Sequence, residues 1–480
     1  DYARLLYRLV IENAWPYRWQ YAQALGLMLI VSGMFGAVAL LTRDVLNDVF
    51  LGENPDALHW LAWLILAILL IRGAAMYGYM VILARIGNKI VAGLQKQIYD
   101  HILDQGMVFH EENRSGDLAV RINQNTAAAR NALNTIATRL GVDLTTVIAM
   151  IAVMFWNDVT MSLIALIGAP VAFGGVAALV RRVKVLARSE VTLAGQLLTA
   201  VNETVLGARV IKAFNLQDHM RRRAHHNIDE VRDRNDRIAK LQAVANPLME
   251  AVAGVGAAAV LLYAGGRIVN QDMDPGTLGS FLVALLMLGD PARRLAQIAV
   301  TLRQFAAGIE FIYETLDADL RPPEALDAPD LRVDAGALSF RDVHFGYSDV
   351  PALNGFSLNA PAGKVTALVG PSGAGKSTVL SLVERFYDPQ EGEILIDGQS
   401  VHAVSLLSLR RHMALVTQET FLFDDTIAEN IRFGRPDATR EEIEEAARQA
   451  NAHEFILDQP AGYETVVGEQ GGNLSGGQRQ

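Results

Sequence analysis

The residues in this sequence that are best suited to chemistry form a glycine-rich loop with the pattern G-x-x-x-x-G-K-[ST]. They are Gly370, Pro371, Ser372, Gly373, Ala374, Gly375, Lys376, Ser377 and Thr378. Glycines let such a loop curl so that its backbone N–H groups face phosphate oxygens. The Lys376 ammonium can then reach the β- and γ-phosphates, and the Ser377 hydroxyl can ligate Mg²⁺. The pattern therefore predicts a nucleotide site that also holds Mg²⁺.

This loop must be held between a strand and a helix. Lys364–Val369 is a short apolar run with high β propensity, and Lys376–Phe386 is typical of a helix. The N-terminus of that helix adds the positive end of its dipole to the site. We therefore predict a strand, a glycine loop and a helix in this order.

A second motif decides the class of nucleotide-binding protein. It consists of Leu474, Ser475, Gly476, Gly477 and Gln478. It follows Thr465–Gly471, which reads TVVGEQG, and it is preceded along the chain by Phe345-Gly346-Tyr347 and by Leu415-Val416-Thr417-Gln418. In order and spacing these motifs resemble those of ATP-binding cassette (ABC) transporters of the exporter type.

The resemblance implies a role for each matching residue. Tyr347 would stack on the adenine of ATP, and Gln418 would ligate Mg²⁺ and link the ATP site to the membrane domain. Lys376 and Gln418 would carry the catalytic roles. The residues from Leu474 to Gln478 would contact ATP held by a second copy of the chain. ATP, Mg²⁺ and a homodimer are therefore expected.

The sequence departs from the family pattern at two places. It ends at Gln480, before the Walker B aspartate, the catalytic glutamate and the switch histidine that the family carries further on. We therefore expect negligible ATP hydrolysis from a polypeptide that ends at Gln480. Gln470 replaces a basic residue common in the family, which weakens the expectation that Glu469 acts across the dimer.

The composition favours a membrane protein. Of the 480 residues, 51% are hydrophobic and 20% are charged, and the mean hydropathy is +0.21. The net charge of −10 gives no basic signature, so no nucleic-acid partner is expected. The sequence contains no cysteine, which excludes disulfides, thiolate nucleophiles and cysteine metal sites.

Six apolar stretches are long enough to cross the roughly 30 Å hydrocarbon layer of a membrane as helices. They lie at 19–41, 58–83, 140–156, 159–180, 244–269 and 278–299. The segments after the second and fourth are rich in Lys and Arg, whereas residues 42–57, 157–158 and 270–276 are acidic or nearly free of base. The distribution of positive charge predicts that both termini are cytoplasmic. The resemblance implies the bacterial inner membrane.

The predicted fold is an all-α transmembrane domain of six helices with long cytoplasmic helical extensions, followed by an α/β P-loop ATP-binding cassette. We assign the transmembrane domain to 1–320 and the cassette to 331–480. The linker is 321–330, because Pro322 and Pro323 cannot continue a helix.

The two cytoplasmic extensions each contain a predicted break, at 106–116 and at 207–218. The family resemblance implies coupling helices there that dock on the cassettes. Phe109, His110 and Phe214 are the candidate contacts. An ordinary helical turn with a packed aromatic ring is the alternative.

Three arginines in or next to the predicted spans, Arg72, Arg139 and Arg293, are candidates for binding an anionic substrate. Arg72 lies near the middle of the second span among apolar helical neighbours, so we expect it to face an internal cavity. Helical ion pairing is the alternative for the other two. The available pairs are Arg139 with Asp143, and Arg293 or Arg294 with Asp290. All three candidates fall where the lipid A flippases of Gram-negative bacteria carry basic residues.

These observations predict ATP-driven export or flipping of an amphipathic anionic lipid, lipid A or lipid A-core, by alternating access in a homodimer. An exporter of drugs, peptides or other amphiphiles is the first alternative. An ATP-gated channel would need hydrophilic positions along several spans, and the spans consist mostly of Ala, Val, Leu, Ile and Gly. The composition of the spans therefore favours a pump.

Overall fold

The computed structural model of the chain describes residues 2–52, 54–113, 118, 121–167, 204–205, 207–243, 245–325, 327–347, 350–417, 420–468 and 471–480. Its contacts divide the chain into two compact units. The helical unit contains residues 1–104 and 113–319, and the cassette unit contains residues 105–112 and 320–480. The segment 105–112 thus groups with the C-terminal unit, although its neighbours in sequence belong to the helical unit.

The helical unit is built from long helices. Its described α-helices are Tyr2–Leu9, Arg18–Asp44, Pro55–Asp104, Thr126–Thr138, Leu144–Asn157, Val159–Leu166, Ala208–Ala213, Gln217–Ala243, Ala245–Val269, Pro275–Ala296 and Ile298–Asp317. Wider π-helical turns occupy Val10–Ala14, Val45–Leu51, Arg121–Asn125 and Arg139–Asp143, and a 3₁₀ turn occupies Trp15–Tyr17. The helix Pro55–Asp104 has 50 residues. It is therefore about 75 Å long, well beyond the thickness of a bilayer core.

Four helical stretches of the described residues are long and apolar enough to cross a membrane. They are Arg4–Leu51, Asp56–Asp104, Ile122–Asn157 and Pro275–Asp317, and they contain the first, second, third and sixth predicted spans. The fifth lies in Ala245–Val269, where Gly254–Val269 is a shorter apolar stretch. The fourth begins as the helix Val159–Leu166, and its residues 168–180 lie outside the described residues.

One side of the helix Pro55–Asp104 is buried, because apolar residues recur on it at every fourth position. Ile86, Ile90, Leu94 and Ile98 are at most 3% exposed. They share a core cluster with residues of two other helices, namely Ala129, Ala132, Ile309 and Ile312. Burial of each large aliphatic side chain contributes about 1.5 to 3 kcal/mol. This cluster therefore holds the long extension of the helix against its neighbours.

The described part of the cassette unit contains one antiparallel sheet of four strands, in the order β2-β1-β3-β4. The strands are β1 (Leu338–Phe345), β2 (Leu353–Ala360), β3 (Glu391–Ile396) and β4 (Gln399–Ser400). The helices are Met107–Glu112, Lys376–Val383, Leu406–Arg411, Ile427–Arg432, Arg440–Gln449, His453–Leu457 and Gly476–Arg479, with a 3₁₀ turn at Gly462–Glu464. Val379 and Leu382 of the second helix belong to the core cluster that contains Phe340 of the sheet. The predicted fold class, an all-α membrane unit followed by an α/β cassette, is confirmed.

Two local predictions around the glycine loop are wrong. Among the described residues, Lys364–Val369 pairs with no strand, and Val365 and Val369 are almost fully exposed. A strand requires a neighbouring chain for its backbone hydrogen bonds, and none of β1 to β4 borders this run. The helix that begins at Lys376 ends at Val383 rather than Phe386. Arg385 adopts a φ of +50°, which a right-handed helix cannot continue.

The tight turn between β3 and β4 contains Asp397 and Gly398, with φ values of +45° and +80°. Two residues with positive φ are the pattern of a type I′ hairpin turn. The Asp397 carboxylate accepts hydrogen bonds of 2.7 to 2.9 Å from the backbone N–H groups of Asp334, Ala335, Gly336 and Ala337. These bonds, led by the one from Gly336, lower the pKa of Asp397 to about 2. The carboxylate therefore fastens the segment before β1 to the sheet.

We expect Asp397→Asn to loosen residues 334–337 at neutral pH. Because folding lowers this pKa, the stabilisation is present above the unfolded value near 4 and is lost as the pH falls through about 2. Asparagine tolerates the left-handed turn, so the substitution tests the charge rather than the turn. Hydrogen exchange of residues 334–337, corrected for the intrinsic pH dependence, should be faster in the variant at pH 7, with a difference that shrinks between pH 4 and 2. Asp437→Asn, at an exposed position, is the control, and a difference that does not change with pH would contradict this role.

Candidate functional site

The glycine loop of the cassette unit has the backbone that a phosphate-binding loop requires. Gly373 and Gly375 both have a φ of +80°, in the left-handed region that favours glycine. A Cβ atom at position 375 would lie 2.8 Å from Cδ2 of Leu353 and 2.9 Å from the carbonyl oxygen of Ala352. Position 375 therefore requires glycine for its conformation and for the close approach of β2.

Lys376 begins the helix that follows the loop. Its Nζ donates hydrogen bonds to the carbonyl oxygens of Gly370 and Pro371, at 3.0 and 2.7 Å. The ammonium group is thus folded back over the loop. Ser377 is exposed at the start of the helix, whereas Thr378 is only 5% exposed. The local geometry brings backbone N–H groups, one cation and one hydroxyl together, which is the donor set that suits a triphosphate with Mg²⁺.

Tyr347, the predicted adenine-stacking residue, follows β1. Its ring is 52% exposed and lies edge-on to the rings of Phe345 and Tyr387, at centroid distances of 5.0 and 5.1 Å. Phe345 pairs with Leu353 in the sheet, and Leu353 is the residue that approaches Gly375. The β1–β2 pairing therefore links the end of the strand before Tyr347 to the glycine loop.

The predicted signature residues lie at a short helix, Gly476–Arg479. The Ser475 side chain accepts a hydrogen bond from the backbone N–H of Gln478, and the Gln478 side chain accepts one from the backbone N–H of Ser475. Leu474 is partly buried against a second apolar cluster of the cassette unit. Gly476 and Gly477 have no heavy atom within 4 Å of the place where a Cβ would lie. The two hydrogen bonds between Ser475 and Gln478 stabilise the start of the helix, and Gly476 and Gly477 remain accessible.

Three residues with sequence-based assignments lie outside the part of the chain that the structure describes. They are Gln418, Glu469 and Gln470. The assignment of Gln418 to Mg²⁺ and to signal transmission remains a prediction.

Arg72 of the helical unit stacks its guanidinium on the ring of Phe35, with 3.8 Å from Cζ to the ring centroid. Phe35 lies on the helix Arg18–Asp44, so the contact joins two membrane helices. The Nε atom of Arg72 is buried and has no hydrogen-bond partner among the described residues. Cation–π contact stabilises the charge, but the donor Nε still lacks an acceptor. The sequence gives no signal for the contact with Phe35, because this residue is distant from Arg72 along the chain.

Asp143 accepts ion pairs from two arginines. Its side chain is 5% exposed and lies 2.8 Å from Nη1 of Arg139 and 2.7 Å from Nη2 of Arg294. The predicted pair of Arg139 with Asp143 is therefore present, within the π-helical turn Arg139–Asp143. Of the two arginines that the sequence offered to Asp290, Arg293 forms that pair, at 2.7 Å. The bridge from Arg294 to Asp143 was not anticipated, because these residues are 151 positions apart.

The first predicted coupling segment contains the helix Met107–Glu112, which groups with the cassette unit. Phe109 is 1% exposed and meets the His110 ring edge-on. Glu111 accepts a hydrogen bond from the Tyr387 hydroxyl, a contact for which the sequence gave no signal. In the second segment, the helix Ala208–Ala213 is followed by Phe214, which is 72% exposed.

Comparison with known proteins agrees with this arrangement. Residues 24–291 match the family model of the ABC transporter transmembrane region, and residues 353–480 match the ABC transporter family model. The chain is 38% identical to an uncharacterized ABC transporter ATP-binding protein of Sinorhizobium fredii, over 99% of this chain and 81% of that protein. It is 35% identical to an ATP-dependent lipid A-core flippase of Syntrophus aciditrophicus, over 99% of this chain and 79% of that protein.

The fold has a counterpart among solved structures. A bacterial Atm1-family ABC exporter with ATP bound superposes with a TM-score of 0.82 and 26% identity, over 96% of this chain and 82% of that chain. The predicted resemblance to ABC exporters is therefore confirmed, and the helical unit is the membrane-spanning part of a multi-pass protein. This chain belongs to the ABC transporter family, as an ATP-driven exporter that carries its transmembrane region and its ATP-binding cassette in one polypeptide.

Proposed function

We propose that two copies of this chain form an exporter that moves an anionic lipid resembling lipid A across the bacterial inner membrane. The observation that carries this proposal is a set of four charged residues: Arg139 and Arg294 form ion pairs with the buried Asp143, and Arg72 stacks on Phe35 with its Nε atom buried and without an acceptor among the described residues. We call these four charged residues the arginine cluster.

The arginine cluster has three positive charges and one negative charge. A charged side chain at the centre of a membrane costs about 2.5 to 3.5 kcal/mol, so the position of Arg72 near the middle of the second predicted span indicates a function for its charge. The Nε atoms of Arg72 and Arg139 are buried and lack acceptors among the described residues. Phosphate groups of a lipid head group would supply acceptors and negative charge together, and guanidinium groups bind phosphate strongly. Arg293 contributes less, because Asp290 neutralises it.

In the proposed exporter, the loop from Gly370 to Thr378 binds the triphosphate of ATP, and Lys376 contacts the β- and γ-phosphates. Tyr347 stacks on adenine through its exposed face. The residues from Leu474 to Gln478 of the second copy complete the site, which makes the homodimer necessary. The exposed Ser377 hydroxyl, together with Gln418, would hold Mg²⁺, which would neutralise charge on the phosphates.

Transport then follows from the different affinity of ATP for two conformations. Closure of the two cassettes on ATP changes the helical units from inward-facing to outward-facing. The helices Met107–Glu112 and Ala208–Ala213 transmit the closure to the membrane helices. Both termini lie in the cytoplasm, where ATP is available.

The test is lipid-stimulated ATP hydrolysis by the full-length transporter in nanodiscs. Lipid A should stimulate the wild type, and Arg72→Ala should raise the lipid A concentration needed for half-stimulation by roughly tenfold, since a hydrogen bond to a charged group contributes about 1.5 to 3 kcal/mol. Arg72→Lys should recover only part of this loss, because an ammonium cannot bind phosphate bidentately. Arg85→Ala, at an exposed arginine on the same helix, is the control.

Two results would contradict the proposed lipid substrate. If lipid A fails to stimulate the wild type and Arg72→Ala changes nothing, the proposed substrate is wrong, while membership of the ABC family stands. Stimulation by uncharged or cationic amphiphiles alone would favour the alternative of a drug or peptide exporter.

A further inference from the structure

Three aromatic rings of the cassette unit contact one another at the end of β1. Phe345, Tyr347 and Tyr387 have ring centroids 5.0 to 5.6 Å apart. Phe345 is buried, Tyr387 is partly buried and Tyr347 is half exposed. A base that stacks on the exposed ring of Tyr347 would therefore contact a ring that is itself packed against Tyr387.

The hydroxyl of Tyr387 donates a hydrogen bond to Oε1 of Glu111. Burial raises the pKa of Tyr387 above its usual value, and the bond to Glu111 raises it further. The phenol consequently keeps its proton at physiological pH and remains the donor. A hydrogen bond from a neutral donor to a carboxylate is stronger than one between two neutral groups.

The helix Met107–Glu112 that carries Glu111 is held at its N-terminal end. The Gln105 side chain accepts a hydrogen bond of 2.8 Å from the backbone N–H of Leu320. A Cβ atom at Gly106 would lie 2.5 Å from the carbonyl oxygen of Leu320, so the two backbones are in close contact. The helix Pro55–Asp104 ends immediately before this point. Only Gln105 and Gly106 therefore separate the end of that 50-residue helix from the helix that bears Glu111.

Hydrogen bonds of the neighbouring Arg385 hold the segment that contains Tyr387. Arg385 is 1% exposed and donates hydrogen bonds to the carbonyl oxygens of Pro323 and Val401, at 2.5 and 3.2 Å, and to Asp388 at 3.1 Å. These bonds tie the segment after the helix Lys376–Val383 to the stretch after Leu320. Tyr387 therefore stands between the helix that follows the phosphate loop and the helix that bears Glu111.

We propose that Tyr387 is a positioning residue that transmits the presence of a base on Tyr347 to the helix Met107–Glu112 through its hydrogen bond to Glu111. The inference rests on the proposed roles of Tyr347 in adenine stacking and of this helix in coupling. It assigns a function to two residues, Tyr387 and Glu111, that lie outside the phosphate loop and the signature motif.

The test compares ATP turnover of variants in the full-length transporter in nanodiscs. Tyr387→Phe keeps the ring contacts and removes one hydrogen bond, so kcat should fall on the order of fivefold while KM for ATP stays within about twofold. Glu111→Ala should have the same effect, and the double variant should be no worse than either single variant, because both break one contact. Glu111→Gln keeps an acceptor and should largely restore kcat.

Glu112→Ala, at the exposed carboxylate next along the helix, is the matched control and should behave like the wild type. Additive losses in the double variant, a Glu111→Gln variant as slow as Glu111→Ala, or unchanged turnover in Tyr387→Phe would each overturn the inference. The readout is basal turnover, so it remains decisive if lipid A does not stimulate the protein. Tyr347→Ala tests adenine stacking separately from the Tyr387–Glu111 contact. An unchanged KM for ATP in this variant would reject adenine stacking. The Tyr387–Glu111 contact is tested by the single and double variants at those two positions.

Discussion

Replacement of Lys376 by alanine is expected to lower ATP turnover of the full-length transporter by at least about a hundredfold. The ammonium lies over the loop, bonded to the carbonyl oxygens of Gly370 and Pro371. Cleavage of ATP develops charge on the phosphoryl oxygens, and a preorganised cation there stabilises the transition state more than the ground state. Loss of one such donor from an active site typically costs about 2.7 to 4 kcal/mol, which corresponds to a factor of 10² to 10³.

Two further substitutions distinguish the role of Lys376 in the loop from a general effect of positive charge. Lys364→Ala removes the same charge from an exposed position outside the loop and should leave turnover nearly unchanged. Lys376→Arg keeps the charge but presents a planar group to a loop that holds a compact ammonium, so it should recover only a small part of the activity. Turnover of Lys376→Ala within a few-fold of the wild type would reject the assignment of this loop to the phosphates.

Replacement of Asp143 by alanine is expected to destabilise the membrane helices by about 1.5 to 3 kcal/mol, the contribution of hydrogen bonds to a charged group. The Asp143 side chain is 5% exposed and is shared by Arg139 and Arg294. Its removal leaves two partly exposed guanidinium groups without their counter-ion. It also removes the bridge between Arg139–Asp143 and the helix Pro275–Ala296. Thermal unfolding in detergent micelles should show the change.

Asp290→Ala is the matched control for this experiment. It breaks an ion pair of similar length with Arg293, but the Asp290 side chain is 70% exposed. Exposed pairs contribute about 0 to 1 kcal/mol, so its unfolding temperature should stay close to that of the wild type. Equal shifts in both variants would mean that Asp143 is not a structural counter-ion. Added anionic lipid should partly restore the stability of Asp143→Ala if the arginine cluster binds head groups.

The class of this protein could be predicted from local sequence because its defining features are local. The phosphate loop is nine consecutive residues, and left-handed φ at Gly373 and Gly375 is a property that the residue type itself permits. Apolar stretches of membrane length need no tertiary partner to be identified. The ion pairs of Arg139 with Asp143 and of Arg293 with Asp290 could also be anticipated, since helical spacing alone brings their side chains together.

Pairing in the sheet and contacts between distant residues could not be predicted in this way. Lys364–Val369 has the composition of a strand but pairs with none of the described strands, because pairing depends on which chain lies beside it. The cation–π contact of Arg72 with Phe35 and the bridge from Arg294 to Asp143 join residues of separate helices. Their proximity depends on how the helices pack.

By itself, then, the sequence determined that the chain is an ABC exporter with a phosphate loop at Gly370–Thr378, because those signals reside in contiguous residues. Only the tertiary structure decided which carboxylate neutralises which arginine, and that Tyr387 contacts Glu111. The physical reason is that ion pairs and hydrogen bonds act over a few ångströms. Their partners are set by the approach of elements that lie hundreds of residues apart in the chain.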